Sequence, residues 1–239
     1  MFFNFLEENK MAKKYSELLS KSLMLLAAYV ICHIAYLFLY HFVMKYLRFS
    51  NSAIYANVFA GQLVGKLLIG LYIVPITAML VSKLGMANTA IAQSLKKWFL
   101  PYFAWTFITV SLLGVLPSIF LSMNGHIYVS IVLNAAVMLL LMKFALWLPM
   151  GINEGLSFKD SLVSSWKRLN IGWAFAICTA SFVVIFIAPP ISDIITKLGI
   201  SGFAHLMING IVSAVLAYLL LVFNITVYWN ILRREGKAQ

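Results

Sequence analysis

Six long apolar runs dominate the sequence, and each is long enough to cross a lipid bilayer. A helix that spans about 30 Å of hydrocarbon needs roughly 20 apolar residues. Inside lipid, only a helix satisfies the backbone hydrogen bonds of a single segment. The sequence therefore predicts an all-α fold, a polytopic transmembrane helix bundle with six spans at about 23–44, 58–81, 99–121, 127–150, 171–191 and 206–231.

The composition indicates that lipid, rather than water, solvates most of the chain. Charged residues make up only 10% of it and hydrophobic residues 63%, and the mean hydropathy is +0.94. Soluble domains carry about 25% charged residues. Seven acidic and eighteen basic side chains cannot cover the surface of a soluble domain of 239 residues. Two cysteines, each in an apolar run, support neither a disulfide framework nor a thiolate metal site.

The Lys and Arg residues are distributed unevenly between the two sides of the predicted spans. Three fall on one side, at Lys45, Arg48 and Lys197, and Lys66 and Lys143 fall inside spans. The other side receives thirteen, which are Lys10, Lys13, Lys14, Lys21, Lys83, Lys96, Lys97, Lys159, Lys167, Arg168, Arg233, Arg234 and Lys237. Because cytoplasmic loops carry the excess of basic residues, both termini are predicted to be cytoplasmic. The basic residues lie between apolar runs rather than along one face, which argues against nucleic acid as a partner.

Two connections on the basic side predict short helices that lie in the inner membrane interface. The segment 157–160 has the Ser-x-x-acid spacing of a capping box. Apolar residues then recur along one helical face at Phe158, Leu162, Trp166 and Leu169. A similar stripe in the segment 91–98 consists of Ile91, Leu95 and Trp98.

The basic residues of these two helices are the predicted contacts with anionic lipid head groups. Each contact is worth about 1 kcal/mol near the membrane surface. The candidates are Lys96, Lys97, Lys159, Lys167 and Arg168. Membrane lipids are therefore the expected partners, with protein partners or a second copy of the chain as further possibilities.

The ends of the chain form two smaller regions around the transmembrane domain, 23–232. Residues 1–22 mix apolar and aromatic side chains with Lys and Glu, which predicts an amphipathic surface helix. A disordered tail is the alternative for the first ten positions. Residues 233–239 form a basic cytoplasmic tail.

Lys66 and Asn134 are the candidate polar site within the membrane. Lys66 lies about eight residues into the second span, roughly 12 Å from its outer end. An intramembrane charge costs about 3 kcal/mol at the centre and is a functional candidate, although a lysine can also extend its stem to the interface. Asn134 can line a polar path or simply bond across helices. The glycines at 61 and 65 permit close helix approach, which favours packing inside the bundle over a dimer interface.

No constellation of residues in the sequence predicts catalysis or metal binding. None of the spans contains Asp or Glu, so no acid–base pair is evident at membrane depth. The four histidines are scattered along the chain and no two have metal-ligand spacing; they are His33, His41, His126 and His205. We therefore expect a non-enzymatic protein without a cofactor.

The stretch from Leu148 to Leu169 resembles the YciC-type family of bacterial inner-membrane proteins. In that family a span ends near Pro, an acidic residue and Gly follow, and an interfacial helix ends in a Ser-rich turn with Arg. The matching residues are Pro149, Glu154, Ser164, Ser165, Trp166 and Arg168. The resemblance implies six spans and a location in the bacterial inner membrane, and it implies no established activity.

Two functional interpretations follow from these patterns. The first is a non-enzymatic membrane protein with a role in envelope upkeep or in assembly with partners. The second is a small transporter or pore, in which two halves of a weak repeat of about 70 residues frame a path containing Lys66. A continuous polar cavity that reaches Lys66 favours the second interpretation, and a dry, packed bundle favours the first.

Overall fold

A computed structural model describes residues 5–46, 54–84, 90–124 and 127–237. Within these ranges the chain is helical, and no strand is found there. The helices are α1 Phe5–Lys21, α2 Leu23–Tyr46, α3 Ile54–Lys83, α4 Ile91–Asn124, α5 Ile127–Met142, α6 Trp147–Glu154, α7 Phe158–Arg168, α8 Ile171–Lys197 and α9 Gly202–Arg234. The predicted all-α class is confirmed.

Four stretches in the described part of the chain are long and apolar enough to cross a membrane. They are Leu23–Tyr46, Ala60–Lys83, Ala135–Glu154 and Gly202–Arg234. A shorter apolar segment, Ile171–Val184, lies in α8. Long apolar helices of this kind are typical of a membrane-embedded protein. The number of six spans stays a prediction.

Two predicted elements differ from the structure at their boundaries. The segment 127–150 is not one helix, because tight turns at 143–146 separate α5 from α6. In these turns the Trp147 amide donates to the Phe144 carbonyl over 3.1 Å. The segment 91–98 is not a separate interfacial helix but the beginning of α4. Packing holds it in line with the rest of α4, because the ring of Trp98 is only 2% exposed and lies 5.8 Å from that of Trp147.

Helix α1 packs against the bundle. Leu18 is 1% exposed and belongs to a core formed with α2, α3 and α9. The Tyr15 hydroxyl donates to the Leu219 carbonyl over 3.5 Å, and the Tyr218 hydroxyl donates to the Ser22 carbonyl over 3.0 Å. These contacts place the N-terminal helix alongside α9 instead of only on a lipid surface.

Three buried tyrosines from α2, α3 and α9 form a packed layer inside the bundle. Tyr29 contacts Tyr72 edge to face with ring centroids 5.3 Å apart, and it contacts Tyr218 at 5.5 Å. The Tyr72 hydroxyl is also hydrogen-bonded to Nδ1 of His33 over 2.9 Å. We call Tyr29, Tyr72 and Tyr218 the tyrosine layer. Each of the three tyrosines is at most 9% exposed.

Candidate functional site

The beginning of α4, the helices α6 and α7 and the end of α9 meet at one end of the bundle. The Lys97 ammonium donates to the Gly155 carbonyl over 2.9 Å and thereby joins α4 to the α6–α7 connection. Helix α1 reaches the same place, because Lys14 lies 5.1 Å from the ring of Trp229 in α9. We call the residues 91–97, 154–168 and 228–237 the basic end. Segments that the charge count places in one leaflet therefore also lie together in space.

One hydroxyl group fastens α7 to the turns between α5 and α6. Ser165 Oγ donates to the Lys143 carbonyl over 2.9 Å and accepts from the Leu146 amide over 3.2 Å. Ser165 is fully buried, and so is Ser161 one turn earlier. The ammonium group of Lys143 in turn donates to the carbonyl of Leu169, just after α7. The Lys143 carbonyl and the Leu146 amide lie at the break between α5 and α6, and both are bonded by Ser165 of α7.

The serine half of the predicted capping box at the start of α7 is confirmed. Ser157 Oγ accepts from the Asp160 amide over 3.1 Å. The same hydroxyl donates to the Asp160 carboxylate over 2.6 Å, so the carboxylate bonds the side chain of Ser157. The capped helix then presents its serines to the bundle.

The buried face of α7 is rotated relative to the predicted apolar stripe. Ser161 and Ser165 are inside together with Leu169 from the stripe. Phe158 and Leu162 are half-buried against the core, and Trp166 is 42% exposed. Trp166 still contacts the bundle edge, because Lys143 lies 5.3 Å from its ring. Small serines allow the close approach that the hydrogen bonds to the α5–α6 turns require. As a result, the ring of Trp166 remains partly exposed at the edge of the bundle.

Arg168 is paired with two carboxylates. Its Nη1 lies 2.5 Å from Glu154 Oε1, and its Nε and Nη2 each lie 2.7 Å from one oxygen of Glu235. The Tyr228 hydroxyl also donates to Glu154 over 2.8 Å. Burial lowers the pKa of Arg168, but the hydrogen bonds with both carboxylates outweigh it, so the pKa is raised above its usual value. Arg168 thus joins α6, α7 and the end of α9, and its predicted contact with head groups stays a prediction.

The other predicted contacts are found at the basic end in two settings. Lys96, Lys159 and Lys167 are exposed. Lys97 is exposed as a residue, yet its ammonium group is bonded to Gly155. Three of the five predicted residues therefore remain available for contacts with head groups, and these are Lys96, Lys159 and Lys167.

Lys66 lies in a different place, on a cavity between α2 and α3. The cavity has a volume of about 490 Å³ and is lined by Tyr36, Tyr40, Gly61, Gln62, Gly65, Lys66 and Ile69. A Cβ added at Gly61 would lie 2.8 Å from the Tyr40 hydroxyl. Both glycines therefore face tyrosines of α2 in the same chain, and the choice between packing inside the bundle and a dimer interface stays a prediction. Asn134, the other half of the predicted polar site, lies in α5, and its side chain is outside the described residues.

A group of polar side chains at the opposite end from Arg168 was not foreseen. Ser192 Oγ lies 3.2 Å from Nε2 of His205, and Thr196 Oγ1 lies at the same distance from that nitrogen. Asn209 Nδ2 donates to Ser192 over 3.1 Å. Among the described residues no carboxylate bonds His205 to orient it as a base. The group links the end of α8 to the start of α9, and no local spacing in the sequence signals it.

Metal binding finds no support in the described ranges, where no group of three His, Cys, Asp or Glu side chains could hold an ion. Comparisons of the chain with protein-family models, with curated proteins and with solved structures each find no match. The resemblance to the YciC-type family therefore stays a prediction. Function has to be argued from the basic end and from the cavity.

Proposed function

We propose that the chain is a non-enzymatic protein of the bacterial inner membrane with six spans and both termini in the cytoplasm. Its basic end contacts anionic lipid head groups, and the protein serves envelope upkeep or assembly with partners. The observation that supports this is the exposure of Lys96, Lys159 and Lys167 on segments that pack together at one end of the bundle.

Charge and aromatic surface occur together on α7 at the basic end. Each lysine near an anionic surface contributes about 1 kcal/mol. Trp166 and Val163 are exposed on the same helix as Lys159 and Lys167. An amphipathic indole ring is favourable at head-group depth. Because Ser165 and Arg168 fix α7, its lysines are presented by a rigid element.

The test is a charge-removal variant that combines Lys96→Gln, Lys159→Gln and Lys167→Gln. The protein is reconstituted in nanodiscs of mixed phosphatidylcholine and phosphatidylglycerol, and the enrichment of the anionic lipid around it is measured. We expect the variant to lose most of this enrichment. The matched control, Lys45→Gln with Lys197→Gln, removes exposed lysines outside the basic end and should keep it. Equal enrichment in the charge-removal variant and the wild type would refute the proposal.

A small transporter or pore is the second candidate, because a cavity reaches Lys66. The tyrosine layer counts against a continuous path, since its three rings are buried and packed together. If a path exists, the variant Tyr72→Ala should increase ion leakage from liposomes that contain the protein. Leakage at the wild-type level would remove this candidate.

A further inference from the structure

The cavity beside Lys66 has the dimensions of a binding pocket. Its volume of about 490 Å³ lies within the range of roughly 300–1,000 Å³ that is typical of ligand sites. It is more open than enclosed. Lys66 precedes the end of α3 at Lys83 by 17 residues, which is about 25 Å of helix. The cavity is therefore distant from the basic end and does not share its lysines.

The polar groups that line the cavity are suited to an anion. Lys66 brings an ammonium group, Gln62 an amide, and Tyr36 and Tyr40 bring hydroxyl groups. All of these can donate hydrogen bonds. The lining contains no carboxylate. Lys66 also forms no ion pair with any described residue.

An unpaired ammonium group at membrane depth is unfavourable unless a counter-charge or water reaches it. Hydrogen bonds between a cation and an oxyanion are shorter and stronger than neutral ones. We propose that this cavity binds an oxyanion, a phosphate or carboxylate group, with Lys66 as the counter-charge. Gln62, Tyr36 and Tyr40 donate hydrogen bonds to the same group.

The backbone of α3 helps to place the donors. The Tyr40 hydroxyl lies where a side chain at Gly61 would be, at 2.8 Å from the position of a Cβ. The Tyr36 hydroxyl lies 3.6 Å from the corresponding position at Gly65. The two glycines therefore allow both hydroxyl groups to lie against α3, in the cavity that Lys66 also lines.

The tyrosine layer lies beside the cavity. Tyr36 in the lining lies 6.4 Å from Tyr72 between ring centroids, so the layer lies directly next to the cavity. Tyr72 is held in place by Tyr29 and by His33. A bound oxyanion therefore meets a packed, hydrogen-bonded layer.

The oxyanion can come from the head group of a lipid or from a free anion, and two arms of one experiment separate these sources. In the first arm, the full-length protein in detergent is titrated with phosphatidylglycerol or phosphatidylcholine, and bound lipid is counted by native mass spectrometry. In the second arm, inorganic phosphate or acetate is added, and the melting temperature is followed. Preferential retention of phosphatidylglycerol identifies a lipid head group. A rise in melting temperature with either small anion identifies a free anion.

Variants at position 66 decide whether the cavity is the site. We expect Lys66→Gln to weaken binding by about tenfold or more, and Lys66→Arg to retain it. The control Lys45→Gln removes an exposed lysine from α2 and should bind as the wild type does. Wild-type affinity of Lys66→Gln for the ligand that binds would overturn the proposal. Failure of the wild type to bind any of these anions would overturn it as well.

A second variant covers the case in which Lys66→Gln does not fold. Tyr36→Phe combined with Tyr40→Phe keeps both rings and removes both hydroxyl donors, so weaker binding is expected by several-fold. Unchanged binding in this variant would also contradict the proposal. The variant without Lys96, Lys159 and Lys167 should lose the lipid bound at the basic end and keep the lipid or anion bound in the cavity, and only the part that it keeps should depend on Lys66. Failure of the head-group proposal and failure of the cavity proposal are therefore distinguishable.

Discussion

Ser165 stabilises the contact between α7 and the α5–α6 turns through a single hydroxyl group. The variant Ser165→Ala removes the hydroxyl that bonds the Lys143 carbonyl at 2.9 Å and the Leu146 amide at 3.2 Å, so both backbone groups lose this partner. A buried polar group without a partner costs about 1–3 kcal/mol. We expect a lower apparent melting temperature in detergent, followed by tryptophan fluorescence. The control Ser164→Ala, at the half-buried neighbouring position, should melt close to the wild type.

Glu235 makes the stability of the basic end depend on pH. Burial raises its pKa, but bonds from Lys237 and Arg168 outweigh this, and the pKa lies below its usual value. The stabilisation is therefore complete above the ordinary glutamate pKa of about 4.3 and is lost as the pH falls through the lower folded-state pKa. Because the pair of Glu235 and Arg168 is partly exposed, it contributes about 1 kcal/mol to the free energy of unfolding.

The variant Glu235→Gln isolates this contribution. We expect it to have a lower melting temperature than the wild type at neutral pH, because Arg168 loses one of its two carboxylates. The difference should shrink as the pH falls below about 4. A difference that stays constant over this range would show that the charge of Glu235 does not contribute.

Individual contacts were predictable only where they are local in sequence. The bond between Ser157 and Asp160 follows from a spacing of three residues. The partners of Arg168 do not, because Glu235 is 67 residues away. The bond between Ser192 and His205 also depends on how α8 and α9 pack. Side-chain partners that belong to different helices are set by tertiary packing, to which a single sequence gives no direct access.

At the scale of elements, α6 depends on a glycine that faces a buried aromatic ring. A Cβ at Gly151 would collide with the indole of Trp98, which is only 2% exposed and has little room to move. Gly151→Ala should therefore destabilise the protein by about 1–3 kcal/mol. A shift of the unfolding midpoint measures this. Gly172→Ala serves as the control, because its Cβ would meet only Asn170 Oδ1, at 3.4 Å.

Hydrophobic patterns predict the presence of a helix better than they predict where it begins and ends. The apolar run 127–150 gives no sign of its break, since the turns at 143–146 are stabilised by Ser165 from α7. The stripe at 91–98 was correctly predicted to be helical, but its continuity with α4 depends on the packing of Trp98. Helix type follows from local pattern, whereas helix ends depend on partners elsewhere in the chain.

At the scale of the whole molecule, the predicted asymmetry of charge depends only on the order of spans and loops, and the side on which each loop lies stays a prediction. The structure adds that the basic segments touch each other, as the bond from Lys97 to Gly155 shows. Neither the tyrosine layer nor the lining of the cavity could be foreseen. Tyr36 and Lys66 meet only when α2 packs against α3.

The central claim is that lipid surrounds most of the chain, with the basic end in the cytoplasm. Labelling of single cysteines with a membrane-impermeant maleimide tests this claim. The variants are Lys96→Cys, Lys167→Cys, Lys45→Cys and Lys197→Cys, each in a chain without Cys32 and Cys178. In intact spheroplasts we predict labelling at positions 45 and 197, and labelling at 96 and 167 only after the membrane is opened. Labelling of 96 and 167 from opposite sides would contradict the account.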